Sequence, residues 1–546
     1  MAMFATAYVF GKRDHMRMTF VVDKLAPAQR KVLEIVLEIL VIAFAAIVLI
    51  YGGFNIMGLT MTQKTASLGV MMGQVYAVVP ISGILIAVYG ILNVVDLCKG
   101  YERKEEGGEI IMNTALVSGL IILVLLIIML IAGVPIAVAL GVSSVCAILP
   151  IMDLNVAVLT GCQRIFSGIS VFSLLAIPFF ILAGNIMNKG GIAVRLINFA
   201  KLITGRAPGA LAQTNILANM LFGSISGSGT AAASAMGSII GPIEKEEGYD
   251  PNFSAAVNIA TAPTGLLIPP SNVMITYSLV SGGTSVAALF MAGYIPGILW
   301  GLACMLVVYV IAKKKGYRAK TRFTASEAGK IILQALPCLL LIVIVIGGII
   351  FGIFTATEGS VVAVVYSLLL SLFVYKSIKI KELPKILLDS AEMTGIIIFL
   401  IGVSSIMSWV MAFTNIPELV STALLSVSSN KFVILFLINI ILLIVGTFMD
   451  MTPACLIFTP IFLPVCTALG MDTIHFGIMM IFNLCIGTIT PPVGTTLFVG
   501  VKVGKVQIET VFRQLLVYFA AIFIVLMLVT YIPNLSLWLP KLMGYI

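Results

Sequence analysis

At 546 residues the chain has room for several soluble domains of roughly 100–200 residues each, but 60% hydrophobic and only 10% charged residues do not describe a soluble protein. The mean hydropathy of +1.15 places it in lipid. Its net charge of +9 sits in short basic clusters between apolar runs, as in loops kept on the cytoplasmic side of a membrane, which excludes a secreted factor, a cytosolic enzyme and a nucleic-acid binder.

In chain order, Met1 to Phe10 is apolar and precedes Lys12, Arg13 and Asp14, the reverse of a signal peptide, and reads as the tail of a helix. Two spanning helices are expected at about 36–55 and 70–95, followed by a polar boundary from Asp96 to Glu109. Beyond it, charge-free runs at 110–152, 207–243, 251–312, 331–357, 473–501 and 514–540 exceed the about 17–25 residues a crossing needs, several of them twice over. The strongest basic cluster, Lys313 to Arg322, has no acidic residue and is assigned to the cytoplasm.

Catalysis has little material. The eight cysteines are scattered through apolar runs without paired spacing and read as packing residues. His15 and His475 are the only histidines, too few for a His-based metal centre or triad. The nearest approach to a phosphate loop, Gly500 to Val506, is one residue short between its glycines and lacks the hydroxyl that would hold magnesium. No cofactor is expected.

Residues 112–546 contain an internal repeat. A shift of 222 residues superimposes, without a gap, Thr230 on Thr452, Pro242 on Pro464, Gly248 on Gly470, Asp250 on Asp472, Gly265 on Gly487, Pro269-Pro270 on Pro491-Pro492 and Gly282 on Gly504. Two related halves, 112–333 and 334–546, therefore follow a distinct region, 1–111. Each half carries segments too rich in Gly, Pro, Ser and Thr for a simple spanning helix: Gly223 to Thr230 and Thr261 to Asn272 in the first, Gly446 to Pro453 and Gly487 to Thr496 in the second. Irregular backbone at membrane depth is tolerated only where it is buried in protein or lines a cavity, so these four places mark the expected site.

Proline withholds an amide, so each Pro-Pro pair leaves carbonyls without i+4 partners. Such carbonyls together with hydroxyls suit a small hard cation, and helix N-termini facing the same space favour an anion. Ser224, Ser226 and Ser228, spaced by Gly227, fit this reading or a close helix-packing surface. Asp450 lies among Phe448, Met449 and Met451 and is either functional or a helix cap. Glu358 is either functional or part of a surface turn, and Asp250 and Asp472 are expected as caps.

With these motifs, residues 112–546 resemble the large membrane subunit of the tripartite ATP-independent periplasmic (TRAP) transporters. The resemblance rests on Ala132-Gly-Val-Pro-Ile-Ala137, Ile177-Pro-Phe-Phe-Ile-Leu-Ala-Gly184, Phe222 to Gly229, Leu267-Ile-Pro-Pro-Ser271, Ala292-Gly-Tyr-Ile-Pro-Gly297 and Gly487 to Gly494. Residues 1–111 resemble the second half of that family's small membrane subunit, through Lys12 to Arg17 and Val22 to Leu25.

The resemblance implies an all-α polytopic protein of the bacterial inner membrane, an inverted-repeat, elevator-type secondary transporter. It would carry two re-entrant hairpins, about 211–242 and about 447–466, each facing an unwound helix. It further implies that a periplasmic substrate-binding protein delivers an organic anion, such as sialic acid or a C4-dicarboxylate, and that sodium drives uptake. Carried over, sodium would be held by Ser226, Ser228, Gly265, Pro269, Asp450, Thr452, Gly487, Thr490 and Pro492, and substrate would meet Ser224, Thr230, Ser271, Asn272 and Thr495. Partners would be the binding protein, the small subunit partly present in this chain and membrane lipids. A stand-alone carboxylate transporter of related architecture is the alternative. Since the polar join at Lys99 to Ile111 is too short to span, Met112 is expected to begin a separate natural subunit, with 1–111 and 112–546 not one polypeptide.

Overall fold

The computed structural model describes residues 32, 35–36, 38–39, 42–43, 45–61, 71, 74, 77–99 and 107–546 except 133, 206, 318–322, 429 and 492–493. The expected basic loops at Lys12 to Arg17 and Val22 to Leu25, and Arg318, Lys320, Arg322 and Pro492, lie outside the described residues. The chain divides into two compact units, Met1–Gly108 and Glu109–Ile546.

In the first unit a π-helical stretch, Ala45–Tyr51, runs into α1 (Gly52–Thr60), and α2 (Val78–Lys99) packs against them. Glycine permits that closeness. A methyl on Gly53 would lie 3.0 Å from the Pro80 nitrogen, and one on Gly90 would reach 2.6 Å from the Ile42 side chain.

All but the first two residues of α3 (Gly107–Ile131) belong to the second unit, and α4 (Ile136–Ile148), α5 (Leu154–Ile169), α6 (Ala176–Lys189) and α7 (Ile192–Thr204) follow. Two helices joined by a two-residue turn follow, α8 (Ala210–Ser226) and α9 (Gly229–Glu246). The next run is broken into α10 (Pro251–Thr261), the single turn α11 (Thr264–Leu267) and α12 (Asn272–Val280), before the long α13 (Val286–Lys315). The second half answers with α14 (Ala325–Ile350), α15 (Ala356–Leu369), α16 (Leu383–Phe413) and α17 (Ile416–Val427). The pair α18 (Lys431–Phe448) and α19 (Met451–Ala468), the broken run α20 (Thr473–Gly487) and α21 (Thr495–Gly504), then α22 (Ile508–Tyr531) and α23 (Asn534–Leu542) complete it.

The repeat is visible in the helix starts: α9 and α19, α10 and α20, and α13 and α22 each begin 222 residues apart. The matched aspartates act as caps, Asp250 Oδ1 accepting from the Asn252 amide at 3.0 Å and Asp472 Oδ1 from the Ile474 amide at 2.7 Å. Glu358 belongs to a capping box: its carboxylate accepts from the Thr355 amide at 2.8 Å while the Thr355 hydroxyl accepts from the Glu358 amide at 3.2 Å. Of its two readings, the turn describes it.

Among the described residues nine helices are long and apolar enough to cross a membrane. Large apolar side chains such as Ile131, Phe351 and Leu333 point outward, as lipid-facing helices require. The hairpin helices α8 and α9 are not among the nine. Alanine, glycine and polar residues interrupt them, and they are enclosed by α10, α13 and α21 instead. Replacing either capping aspartate, D250A or D472A, is expected to lower stability by about 1 kcal/mol, read as a lower melting temperature of the detergent-solubilised protein with secondary structure unchanged.

Candidate functional site

Gly227, at φ +60°, turns the chain between α8 and α9. Ser228 caps α9, its hydroxyl accepting from the Ala231 amide at 3.3 Å and lying 3.1 Å from the Thr230 hydroxyl. The hydroxyls of Ser224 and Ser226 bond to carbonyls of their own hairpin, at Leu221 (2.8 Å) and Ser228 (3.5 Å). The close packing is carried by Gly223, where a methyl would lie 2.6 Å from the Cα of Gly265 in the broken segment.

That segment, between α10 and α12, has no amide at Pro269 or Pro270 to offer the carbonyls of Gly265 and Leu266. It rests on α13, where Gly293 and Gly297 leave room for the backbone of Leu267 and Ile268 and Trp300 Nε1 donates to the Ala260 carbonyl at 2.8 Å. Ser271 Oγ and Asn272 Oδ1 are enclosed without a hydrogen-bond partner. They stand beside the hairpin turn, since a methyl on Gly227 would lie 3.5 Å from both Asn272 Nδ2 and the Pro270 carbonyl.

The second half repeats this plan with different chemistry. Gly446 on α18 faces Gly487, a methyl on the former lying 3.1 Å from the Cα of the latter. Met449 and Asp450 separate α18 from α19, and Asp450 Oδ1 accepts from the Thr495 hydroxyl at 3.3 Å. Thr452 lies in the first turn of α19. The expected free carbonyls after α20 are in part recaptured. The Thr488 carbonyl accepts from the amides of Thr496 and Leu497 at 3.0 and 3.2 Å, and the Gly487 carbonyl from the Thr490 amide at 3.0 Å. The Thr490 hydroxyl donates to the Ile486 carbonyl at 2.7 Å. Residues 447–466 cover the end of α18 and most of α19.

The halves meet at these breaks. A methyl on Gly229, at the start of α9, would come within 3.3 Å of the Thr496 hydroxyl near the start of α21, and the Tyr277 hydroxyl donates to the Thr473 carbonyl at 2.6 Å. Contacts therefore chain together the N-termini of four helices, α9, α12, α19 and α21, each carrying the positive end of its helix dipole. The first hairpin thus joins Ser226, Ser228, Thr230, Gly265, Ser271 and Asn272 in one neighbourhood, and the second joins Asp450, Thr452, Gly487, Thr490 and Thr495.

Behind each broken segment lies an amide network that motif reading passes over. Asn219 Nδ2 donates to Asn258 Oδ1 and Thr261 Oγ1, both at 3.0 Å, and Asn258 Nδ2 to the Ala233 carbonyl at 2.7 Å. Asn483, at the position that matches Thr261, donates to Asn439 Oδ1 at 2.8 Å. In the second half the signal was a single Asn on an otherwise largely apolar helix, Asn439 on α18 and Asn483 on α20, which in a membrane must find a partner. Buried cysteines at 304, 338, 455, 466 and 485 are free, and among the described residues no cluster of His, Cys, Asp or Glu could hold a metal.

A bundle of membrane-crossing helices made of two related halves, each with an unwound segment against a hairpin, defines a polytopic membrane transport protein. The chain belongs to the tripartite ATP-independent periplasmic transporters: residues 123–535 match the DctM component of that family and residues 1–100 its DctQ component. It thus joins the large and small membrane subunits and is a multi-pass protein of the bacterial inner membrane.

YgiK of Salmonella typhimurium, an uncharacterized protein, is 54% identical over 415 residues, 76% of this chain and 95% of that one. The sialic acid TRAP transporter large permease protein SiaM of Vibrio cholerae is 38% identical over 70% of this chain and 90% of its own. The C4-dicarboxylate TRAP transporter large permease protein DctM of Pseudomonas aeruginosa is 40% identical over 70% of this chain and 89% of its own. Among solved structures, the Alcanivorax borkumensis YdaH transporter shares the fold, with a TM-score of 0.55 at 13% identity over 78% of this chain and 98% of that one.

The glycine contacts give a direct test. G265A and G487A each place a methyl against opposing backbone and are expected to lower stability by about 1–3 kcal/mol. G241A, with open space around it, should stay within about 1 kcal/mol of the parent. Thermal unfolding of the three variants in one detergent makes the comparison.

Proposed function

We propose that the protein performs sodium-coupled secondary active uptake of an organic anion delivered by a periplasmic substrate-binding protein. The observation that carries this reading is the chain of four helix N-termini around the two breaks, bordered by the Ser271 hydroxyl, the Asn272 carboxamide oxygen and the Asp450 carboxylate. Dipole ends and hydroxyls favour a carboxylate-bearing solute. Backbone carbonyls and a carboxylate beside them favour a small cation. Relatives named for sialic acid and for C4-dicarboxylates support an anionic substrate, with an acidic sugar such as sialic acid the first to try.

In this reading Ser226, Ser228 and the backbone at Gly265 and Pro269 serve one sodium ion, and Asp450, Thr452, Thr490 and the backbone at Gly487 and Pro492 another. Ser224, Thr230, Ser271, Asn272 and Thr495 meet the substrate. The glycine contacts lock each hairpin to its broken segment, so these elements move as one body against α14 to α16, an elevator motion.

The test is uptake of labelled sialic acid, and in parallel of labelled succinate, into proteoliposomes with and without an inward sodium gradient and with and without the cognate soluble protein. Uptake should need both. Sodium-driven uptake without the soluble protein would instead establish a stand-alone carboxylate transporter. D450N should raise the sodium concentration for half-maximal uptake at least about tenfold, equivalent to about 1.4 kcal/mol, while thermal stability is retained.

A further inference from the structure

The last turn of α9 holds a second polar centre, separate from the breaks. Glu244 is 0% exposed, and both its carboxylate oxygens lack a hydrogen-bond partner. The Ser254 hydroxyl on α10 lies beside the carboxyl, and Tyr249 follows in the next loop, its amide donating to the Glu244 carbonyl at 2.9 Å. The Ser254 and Tyr249 hydroxyls are buried. An acid and a hydroxyl are thus enclosed together.

The internal repeat supplies a control. Both halves end this helix alike: the Tyr249 amide donates to the Glu244 carbonyl at 2.9 Å, and the Met471 amide to the Cys466 carbonyl at 2.9 Å, with Gly248 and Gly470 both at positive φ. At the positions of Glu244, Tyr249 and Ser254, the second half has Cys466, Met471 and Phe476, all buried. The backbone therefore closes equally well over apolar side chains, and the fold does not require the acid.

Burying an ionised carboxylate without a partner is strongly unfavourable, whereas its neutral acid both donates and accepts. We propose that this enclosure is a proton-binding site: Glu244 is held as the neutral acid while α9 is packed on α10, and it gives its proton to water, leaving the carboxylate, when that packing opens. The surrounding charges do not neutralise it. Lys245 and Glu246 on α9, Lys502 and Lys505 on α21 and Glu509 and Arg513 on α22 are exposed, and Glu247 and Lys201 are half-buried. Lys315 pairs with Asp250 at 3.4 Å, and Tyr317 stacks on Tyr249. α9 is not one of the nine membrane-crossing helices. Burial raises the Glu244 carboxyl from the ordinary 4.5 to about 8.

The sign of the pH dependence follows. Between 4.5 and about 8 the folded protein binds one more proton than the unfolded chain, so stability from this group is fully present at low pH and is lost as pH rises through that window.

The experiment compares the full chain with E244Q, a neutral isostere, and E244C, which copies the second half. Infrared difference spectra against E244Q should show a protonated-carboxyl band at pH 6 that disappears on titration to pH 9, and the fall in melting temperature across that range should flatten in both variants. If E244Q does not fold, E244C serves as the reference. The proposal is overturned if the parent shows no such band, or if sodium chloride, compared with choline chloride, stabilises the parent but neither variant, since Glu244 would then be an ionised cation ligand.

Discussion

Every backbone amide and carbonyl inside the membrane must find its partner within the protein, and the architecture follows from where this protein stops obeying that rule with plain helices. Helix α10 ends at Thr261, where Pro263 cannot donate to the Ile259 carbonyl, and α20 ends at Gly487, whose carbonyl gets no donor from Pro491. The broken backbone that results can exist at depth only if protein covers it. The hairpin arms provide the cover and the glycines make it close enough: Gly223 lies on Gly265 and Gly446 on Gly487. Helix α13 seals the first break from the other side, with Gly293, Gly297 and Trp300. The positions that look like flexible punctuation in the sequence are therefore closely packed.

Much of this was legible in the residues. The repeat, its register and the positions of the breaks follow from Gly, Pro and Asp, whose backbone preferences act locally, and Asp250 and Asp472 cap helices as their spacing suggested. The relation between the halves was not legible. Thr496 beside Gly229 and Tyr277 on Thr473 are contacts between residues more than 190 apart in the chain, set by packing alone. The first arm of the second hairpin, α18, also escaped notice, because Lys431–Phe448 is apolar nearly throughout and reads as an ordinary crossing.

Polar residues were legible in proportion to their isolation. Asp450 stood out among Phe and Met, whereas Glu244 opens the charged run Glu244-Lys-Glu-Glu247 and is not isolated. About 100° of rotation per residue puts Lys245 and Glu246 in water and Glu244 in the interior, a distinction that only the packing of α10 against α9 can make. The Thr488 carbonyl shows the converse. Proline withdrew its partner, yet the amides of Thr496 and Leu497 reach back to it, so a break inferred from proline marks where the chain bends without saying which oxygens stay free.

The contrast between Glu244 and Cys466 reaches past this one turn. In an assembly of two identical halves each substitution appears twice, so a polar group useful on one side must be tolerated on the other. Joining the halves in one chain removes that restriction. The same helix end, with the same glycine and the same backbone bond, can be a dry apolar plug in one copy and hold a buried acid beside a hydroxyl in the other. Covalent linkage thus lets a symmetric scaffold hold asymmetric chemistry, and positions where the copies agree in backbone but differ in polarity show where the two halves have taken on separate tasks.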